Sequence, residues 1–233
     1  MRINQYIAAA GVTSRRKADE MIAEGRVRVN GQVLTNLGYH VEDGDVVEVD
    51  GSRITPAQKK VYYLLNKPTG YVTSTADKEG RPVVTELVPD SVRVFPVGRL
   101  DYNTSGLLIL TNDGELSNKL MHPSGEFPKK YLVRANGIVT ISEAKRLENG
   151  VDIGGFVTSP AEVHLIKHDR NSTLAEITIH EGKNRQVRRM FKAIGHPVLE
   201  LCRTGLGDLT IGKLALGQCR KLSPAEVEYL KRV

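Results

Sequence analysis

The chain is poor in the residues that anchor metal chemistry and disulfide frameworks. Only two cysteines occur in 233 residues, Cys202 and Cys219, and their separation fits no metal-ligand pattern. They read as free thiols of a reducing compartment. The six histidines are scattered. His164 and His168 stand four apart, but in AEVHLIKHD, which alternates like a strand and lacks the glutamate of a metal-binding helix. No metal site is expected. Long apolar runs are missing too: none approaches the roughly 18 residues of a membrane span. The opening MRINQYIAAAG breaks too early for a secretory signal. What is present is a globular composition, 40% hydrophobic and 26% charged, with a formal charge of +6. Lysine and arginine release counterions when they meet phosphates, so the excess favours a polyanionic partner.

The first fifty residues carry the signals of a small unit. RINQYIAAAG reads as a short helix stopped by Gly11, with Ile3 and Ile7 on one face. TSRRKADEMIAEG supplies a Thr13/Ser14 cap, a helical stretch and a terminating Gly25. RVRVNGQVL alternates about Asn30-Gly31, a strong hairpin signal, and VVEVDG adds a strand. Arg15, Arg16 and Lys17 occupy the first turn of the second helix, where the macrodipole disfavours positive charge. Arg26 and Arg28 follow its end, and the acids are expected to cluster elsewhere, at Glu42, Asp43, Asp45, Glu48 and Asp50. That cost makes sense if phosphate oxygens meet the helix start and the arginines together. SRRKADEMIAEGRVRVNGQVL resembles the RNA-binding module first known from small-subunit ribosomal protein four, which implies binding to structured RNA.

GSRITPAQKK, residues 51–60, reads as a linker. It divides the chain into an RNA-binding module with its linker over 1–58 and a larger domain over 59–233. In the second part VYYLLNKP, VFPVGRL, GLLILT, KKYLVRANG and LAEITIHEG read as strands. GELSNKLMH, ISEAKRLENG, KNRQVRRMFKAIG and SPAEVEYLKRV read as helices, the last opened by a Ser223/Glu226 capping box with Pro224 at its first position. Strands and helices do not alternate regularly. The fold class is therefore α+β: a small N-terminal α/β module, then a mixed, mostly antiparallel sheet flanked by helices.

Two features bear on chemistry. VGRLDYNTSG, residues 97–106, sets one carboxylate, Asp101, two positions after Arg99. Glycosidases usually bring two carboxylates, and a lone Asp at a strand end most often serves a turn or an ion pair. KNRQVRRMFKAIG, wound at about 100° per residue, gathers Val187, Met190, Phe191 and Ile194 on one side. Arg185, Arg188, Arg189 and Lys192 gather on roughly the other, with no acid among them. A face of that kind meets either solvent or a polyanion.

LNKPTG (65–70), VGRLD (97–101), KKYLV (129–133) and EGKNRQVRRMF (181–191) occur in an order and at distances that resemble the motif series of bacterial ribosomal-RNA pseudouridine synthases, the RsuA/RluB branch. The segment from Leu201 to Leu230 resembles that branch's C-terminal region. The resemblance implies a cofactor-free and metal-free isomerase that turns a flipped uracil and rejoins it to ribose through carbon 5. Because nothing is added, no second carboxylate is needed to activate water. Residue by residue it implies that Asp101 is the catalytic carboxylate, Arg188 its arginine partner and Tyr131 the tyrosine at the flipped base. It also implies that Arg99 enters the RNA stack, that Lys67 and Pro68 support the site or a phosphate, and that Leu206 walls the pocket. Arg15, Arg16, Lys17, Arg26, Arg28, Lys67, Arg99, Arg185, Arg189 and Lys192 are the candidate RNA-binding residues. The expected partner is ribosomal RNA, more of the large-subunit type, bound by a cytoplasmic monomer. The competing expectation is a non-catalytic RNA-binding or ribosome-assembly protein that leaves Asp101 structural.

Overall fold

The computed structural model describes residues 1–56, 59–89, 92–122 and 127–232. Residue 58, where the sequence ends the first module, lies outside them. The chain forms two compact units, Met1–Val61 with two short added segments, one of them Asn112–Gly114, and the remainder.

In the first unit, α1 (Ile3–Ala9) and α2 (Arg15–Ala23) turn Ile3, Ile7, Ala18, Met21 and Ile22 into a core. Ser14 caps α2, its Oγ accepting from the Lys17 amide at 3.3 Å. β1 (Val27–Val29) turns through Asn30 and Gly31, both at positive φ (52° and 80°), into β2 (Gln32–Val33). That is the two-residue hairpin an Asn-Gly pair favours. β3 (Val47–Val49) pairs with the other side of β1, and its valines join those of β1 over the helices. Each buried aliphatic side chain contributes roughly 1.5–3 kcal/mol before the entropy of ordering is subtracted. The linker expected from residue 51 needs correction. Ser52–Ile54 forms β4, paired antiparallel with β3. Asp50 and Gly51 turn between them at φ 50° and 77°, a second hairpin of the Asn-Gly kind.

The second unit is built on one mixed sheet. Its strands are β5 (Tyr62–Lys67), β6 (Phe95–Val97), β7 (Ser105–Thr111), β8 (Lys129–Asn136), β9 (Glu162–His168), β10 (Ser172–Ile179), β11 (Val198–Leu206), β12 (Leu209–Thr210) and β13 (Cys219–Lys221). The order is β13-β5-β7-β11-β8-β10-β9, with β6 on β7 and β12 on β11. The pair β7/β11 is parallel and the others are antiparallel. The helices are α3 (Gly114–Met121), α4 (Ile141–Glu148), α5 (Gln186–Ala193) and α6 (Pro224–Arg232). In α6 the Ser223 amide donates to the Glu226 carboxylate at 2.7 Å and the Glu226 amide to Ser223 Oγ at 3.3 Å, the box its sequence predicts. Leu64, Leu107, Ile109, Phe127, Leu206 and Leu230 share one core cluster.

The longest strand among the described residues, β11, falls where the sequence suggests none. Its inward positions include Leu201 and Leu206 but also Arg203 and Gly205, so apolar alternation is broken where the strand is buried. β11 completes a row across the sheet. Lys67 faces Gly106, Gly106 faces Arg203, Arg203 faces Tyr131, and Tyr131 faces Ile177. Gly106 sits at φ 111°, where a Cβ would overlap the Arg203 backbone, so the parallel junction requires glycine there.

Candidate active site

Asp101 lies on the short loop between β6 and β7, and every carbonyl of that loop from Leu100 to Thr104 is engaged. The Leu100 oxygen accepts from the Thr73 hydroxyl at 2.6 Å. The Asp101 oxygen accepts from the Thr104 amide at 3.0 Å and from Lys67 Nζ at 3.2 Å. The Tyr102 oxygen accepts from the Gly70 amide, and the Asn103 oxygen from Arg188 Nη2 at 2.8 Å. The Thr104 oxygen accepts from Lys67 Nζ at 2.9 Å. Peptide groups taken from water must find partners, and here they find them in two cations, a hydroxyl and two backbone amides. Supports of this kind hold a reactive group in a fixed geometry. The loop is clamped by its backbone, and the Asp101 side chain projects from it half-exposed.

That carboxylate faces two guanidinium groups without saturating either. Arg185 Nη1 lies 3.4 Å from Oδ2 and Arg188 Nε lies 3.9 Å from the same atom. Arg188 Nε is buried and has no hydrogen-bond partner. Its terminal nitrogens hold Asn103, Thr104 and Val198, so the group is fixed while its Nε remains open toward Asp101. Burial pushes the Arg188 guanidinium below the usual arginine value, with Arg185 acting in the same direction and Asp101 opposing. Contacts this long are typical of a site that tightens when a substrate arrives.

Beside Asp101 opens a cavity of about 960 Å³. Its lining includes Arg99, Lys129, Tyr131, Phe156, Arg203 and Leu206. Tyr131 is 8% exposed, and its hydroxyl makes no hydrogen bond among the described residues. Lys183 Nζ stands 4.6 Å from the Phe156 ring centroid, a cation over an aromatic face. The cavity thus joins a carboxylate, an aromatic ring, several cations and an apolar wall, a combination suited to a planar polar base.

The sequence-predicted residues divide on inspection. Asp101, Tyr131, Arg99, Arg185 and Leu206 all line the cavity, and Arg188 touches Asp101 from α5. Arg99 is exposed. Lys67 requires correction: it is fully buried, and its ammonium donates to the carbonyls of Pro68, Asp101 and Thr104, so it meets no phosphate. Burial pushes its pKa down to about 8, with Asp101 partly opposing. Arg185 is not on the outer face of α5. It precedes the helix in the left-handed region at φ 51°, which turns its side chain toward Asp101. Arg189 is bound to backbone, its Nη2 donating to the carbonyls of Ile153 and Gly154. Lys192 is exposed on α5.

In the first unit Arg15, Arg16 and Lys17 are exposed at the start of α2, and Lys17 pairs with Glu20 at 2.7 Å. The acids do not all cluster apart from the arginines, as the sequence suggests. Asp50 accepts from Arg26 through both oxygens at 2.8 and 2.7 Å, and Glu24 adds a third contact. The Arg26 fork is therefore already filled. Arg28 projects outward from β1 directly opposite Glu48.

Sequence reasoning assigned nothing to Thr73, Thr104, Lys129 or Arg203. Lys129 stands in the quoted motif KKYLV. Arg203 had one usable signal: a charged residue at an inward position of an alternating segment, two residues after Leu201.

A clamped single carboxylate with arginine partners beside a cavity on a mixed sheet defines a class, and the chain belongs to it: residues 61–193 match the RNA pseudouridylate synthase family. Residues 1–47 match the S4 domain. The chain is 46% identical over 99% of its length to the ribosomal large subunit pseudouridine synthase B of Bacillus subtilis, covering 95% of that protein. It is 38% identical over 97% of its length to the dual-specificity RNA pseudouridine synthase RluF of Escherichia coli, covering 77% of it. A pseudouridylate synthase crystal structure superposes at a TM-score of 0.72 with 28% identity, each chain covered to 99%.

Proposed function

We propose that this protein isomerises a specific uridine of ribosomal RNA to pseudouridine, with the large-subunit RNA as its substrate. The observation that carries the reading is Asp101 itself: one carboxylate on a loop whose five carbonyls are tied, open only toward two arginines and the cavity. The reaction moves the C1′ link from uracil nitrogen 1 to carbon 5 and adds nothing. One positioned carboxylate therefore suffices, either attacking C1′ or taking a proton from the ribose. The cavity must retain the detached base and exclude water from the sugar. Tyr131 stacks against the flipped base with its hydroxyl free to exchange protons. Arg188 holds the Asp101 loop and carboxylate together.

The RNA-binding module over 1–58 supplies affinity through Arg15, Arg16 and Arg28, and the catalytic domain over 59–233 adds Arg99, Arg185 and Lys192. The filled Arg26 fork argues against a phosphate role there. The enzyme works as a monomer in the cytoplasm, where ribosomal RNA is made and bacterial members of this family meet it. The large-subunit preference rests on the identity to the Bacillus subtilis protein. Mapping pseudouridines in ribosomal RNA from cells with and without this protein tests the reading. One large-subunit site should vanish, and an unchanged map in both subunits would refute it.

A further inference from the structure

Arg203 is a residue of the cavity for which the Asp101 chemistry has no use. It is 4% exposed, lines the cavity, and faces Tyr131 across the β11/β8 pair. Its Nε donates to the Leu107 carbonyl at 2.8 Å. Its Nη2 is buried and has no hydrogen-bond partner, and the guanidinium has no ion pair among the described residues. Lys129 stands near it in the same wall, with Nζ on the carbonyls of Phe127 and His180 at 2.6 and 3.1 Å. Burial first and the Arg203 cation second push the Lys129 ammonium below the usual lysine value, and Glu181 opposes them. Glu181 is itself engaged by Ser159 and Gln186. Leaving a buried donor unpaired is costly, and a guanidinium serving only to tie two strands would be better satisfied. An electron-rich oxygen in the cavity would offset that cost.

Uracil brings two such oxygens. We propose that Arg203, with Lys129 beside it, donates to a carbonyl oxygen of the flipped uracil and stabilises the negative charge the base gains on leaving the ribose. The inference rests on the pseudouridine synthase reading above. The C1′–N1 bond breaks with its electron pair kept by uracil, which spreads the charge over N1 and both carbonyl oxygens. Asp101 meanwhile forms an ester at C1′ or takes a proton from C2′. Turning the base about its N3–C6 axis exchanges O2 with O4 and brings C5 to where N1 stood. One fixed set of donors therefore meets a carbonyl before and after the turn. Carbon 5 then bonds to C1′, releasing the ester or with return of the C2′ proton. C5 loses its hydrogen as a proton and N1 gains one. Cytosine would turn an amino group toward the same donors in one of its two orientations, so the contact also selects uridine.

The test uses the full-length protein and unmodified large-subunit ribosomal RNA transcribed with uridine tritiated at carbon 5, which loses tritium as pseudouridine forms. Arg203→Gln should lower the single-turnover rate at saturating enzyme by about 100-fold or more. RNA affinity should stay within about threefold, because phosphate contacts elsewhere dominate it. Arg203→Lys keeps a cation and should recover at least about tenfold of that loss. In a transcript carrying 5-fluorouridine, fluorine stabilises the departing anion. The variant defect, read as loss of 5-fluorouridine from nucleoside digests, should then shrink several-fold, a change that a purely structural role would not produce. Near-wild-type turnover by a folded Arg203→Gln protein, or an equal defect on both nucleosides, would overturn the proposal. If that variant does not fold, the same comparison on Arg203→Lys decides. A wild-type protein that releases no tritium from any ribosomal RNA would instead sink the underlying reading.

Discussion

Asp50 and Asp101 both face arginines, and they do so in opposite ways. In the first unit Asp50 takes the Arg26 fork bidentately at 2.8 and 2.7 Å on an exposed surface. In the second, Asp101 holds Arg185 and Arg188 at 3.4 and 3.9 Å, and one buried arginine nitrogen is left without a partner. The first pair is geometrically complete and has no capacity left for a ligand. The second is incomplete in the folded protein, and incompleteness beside a cavity is what a binding or reacting site requires. Good ion-pair geometry on a surface is thus the weaker sign of function.

The sharpest way to break that contrast is Asp101→Asn. It should lower pseudouridine formation roughly 10⁴-fold or more. A thermal melt and RNA affinity should change little, since the loop is held by its carbonyls and not by the carboxylate. Normal isomerisation by the folded variant would place Asp101 with Asp50 as a structural acid.

Next in size is the clamp. Lys67→Met orphans the carbonyls of Pro68 and Thr104, leaves that of Asp101 with the Thr104 amide alone, and should cost about 3 kcal/mol, read in a denaturant titration. In the wild type the ammonium loses a proton, and one donor, as the pH rises through about 8. The turnover rate should therefore fall above that point. Lys67 affects stability with the opposite sign. Its folded value lies below the unfolded 10.5, so between about 8 and 10.5 the unfolded chain holds the extra proton and the burial penalty is relieved as the pH rises. A rate that stays flat to pH 9.5 would remove Lys67 from the positioning of Asp101.

A smaller effect separates ring from hydroxyl at Tyr131. Losing the ring in Tyr131→Leu should slow turnover about 10- to 100-fold, by the usual worth of a base–aromatic stack. Tyr131→Phe, which keeps the ring, should lose less. Near-native activity for both would return Tyr131 to the core of β8.

The smallest effects lie in the first unit, where the comparison is between neighbouring arginines. Arg15→Ala and Arg16→Ala should each reduce the salt dependence of RNA binding by about one unit of slope. Arg26→Gln should leave the slope unchanged, because Asp50 and Glu24 already occupy that guanidinium. An equal drop for all three would mean that the ion pair opens to RNA.

Local sequence determined a good deal of this protein. The Asn30-Gly31 hairpin, the Ser14 cap and the Ser223/Glu226 box are decided within a few residues and could be read directly. So could the apolar side of α5, Val187, Met190 and Phe191, with Ile194 just past its end. The ordered motifs around Asp101, Tyr131 and Arg188 were legible through resemblance. Tertiary structure alone decided the rest. The row joining Lys67, Gly106, Arg203 and Tyr131 depends on the pairing register of four strands far apart in sequence, one of which local patterning hid. The same placement made Lys67, a candidate RNA-binding residue, a buried clamp and left Arg203 with an unpaired nitrogen, while the folding of the first unit brought Arg26 to Asp50. A side chain's charge is written in the sequence. Whether that charge faces a carbonyl, an acid or an open cavity depends on which distant backbone folds against it.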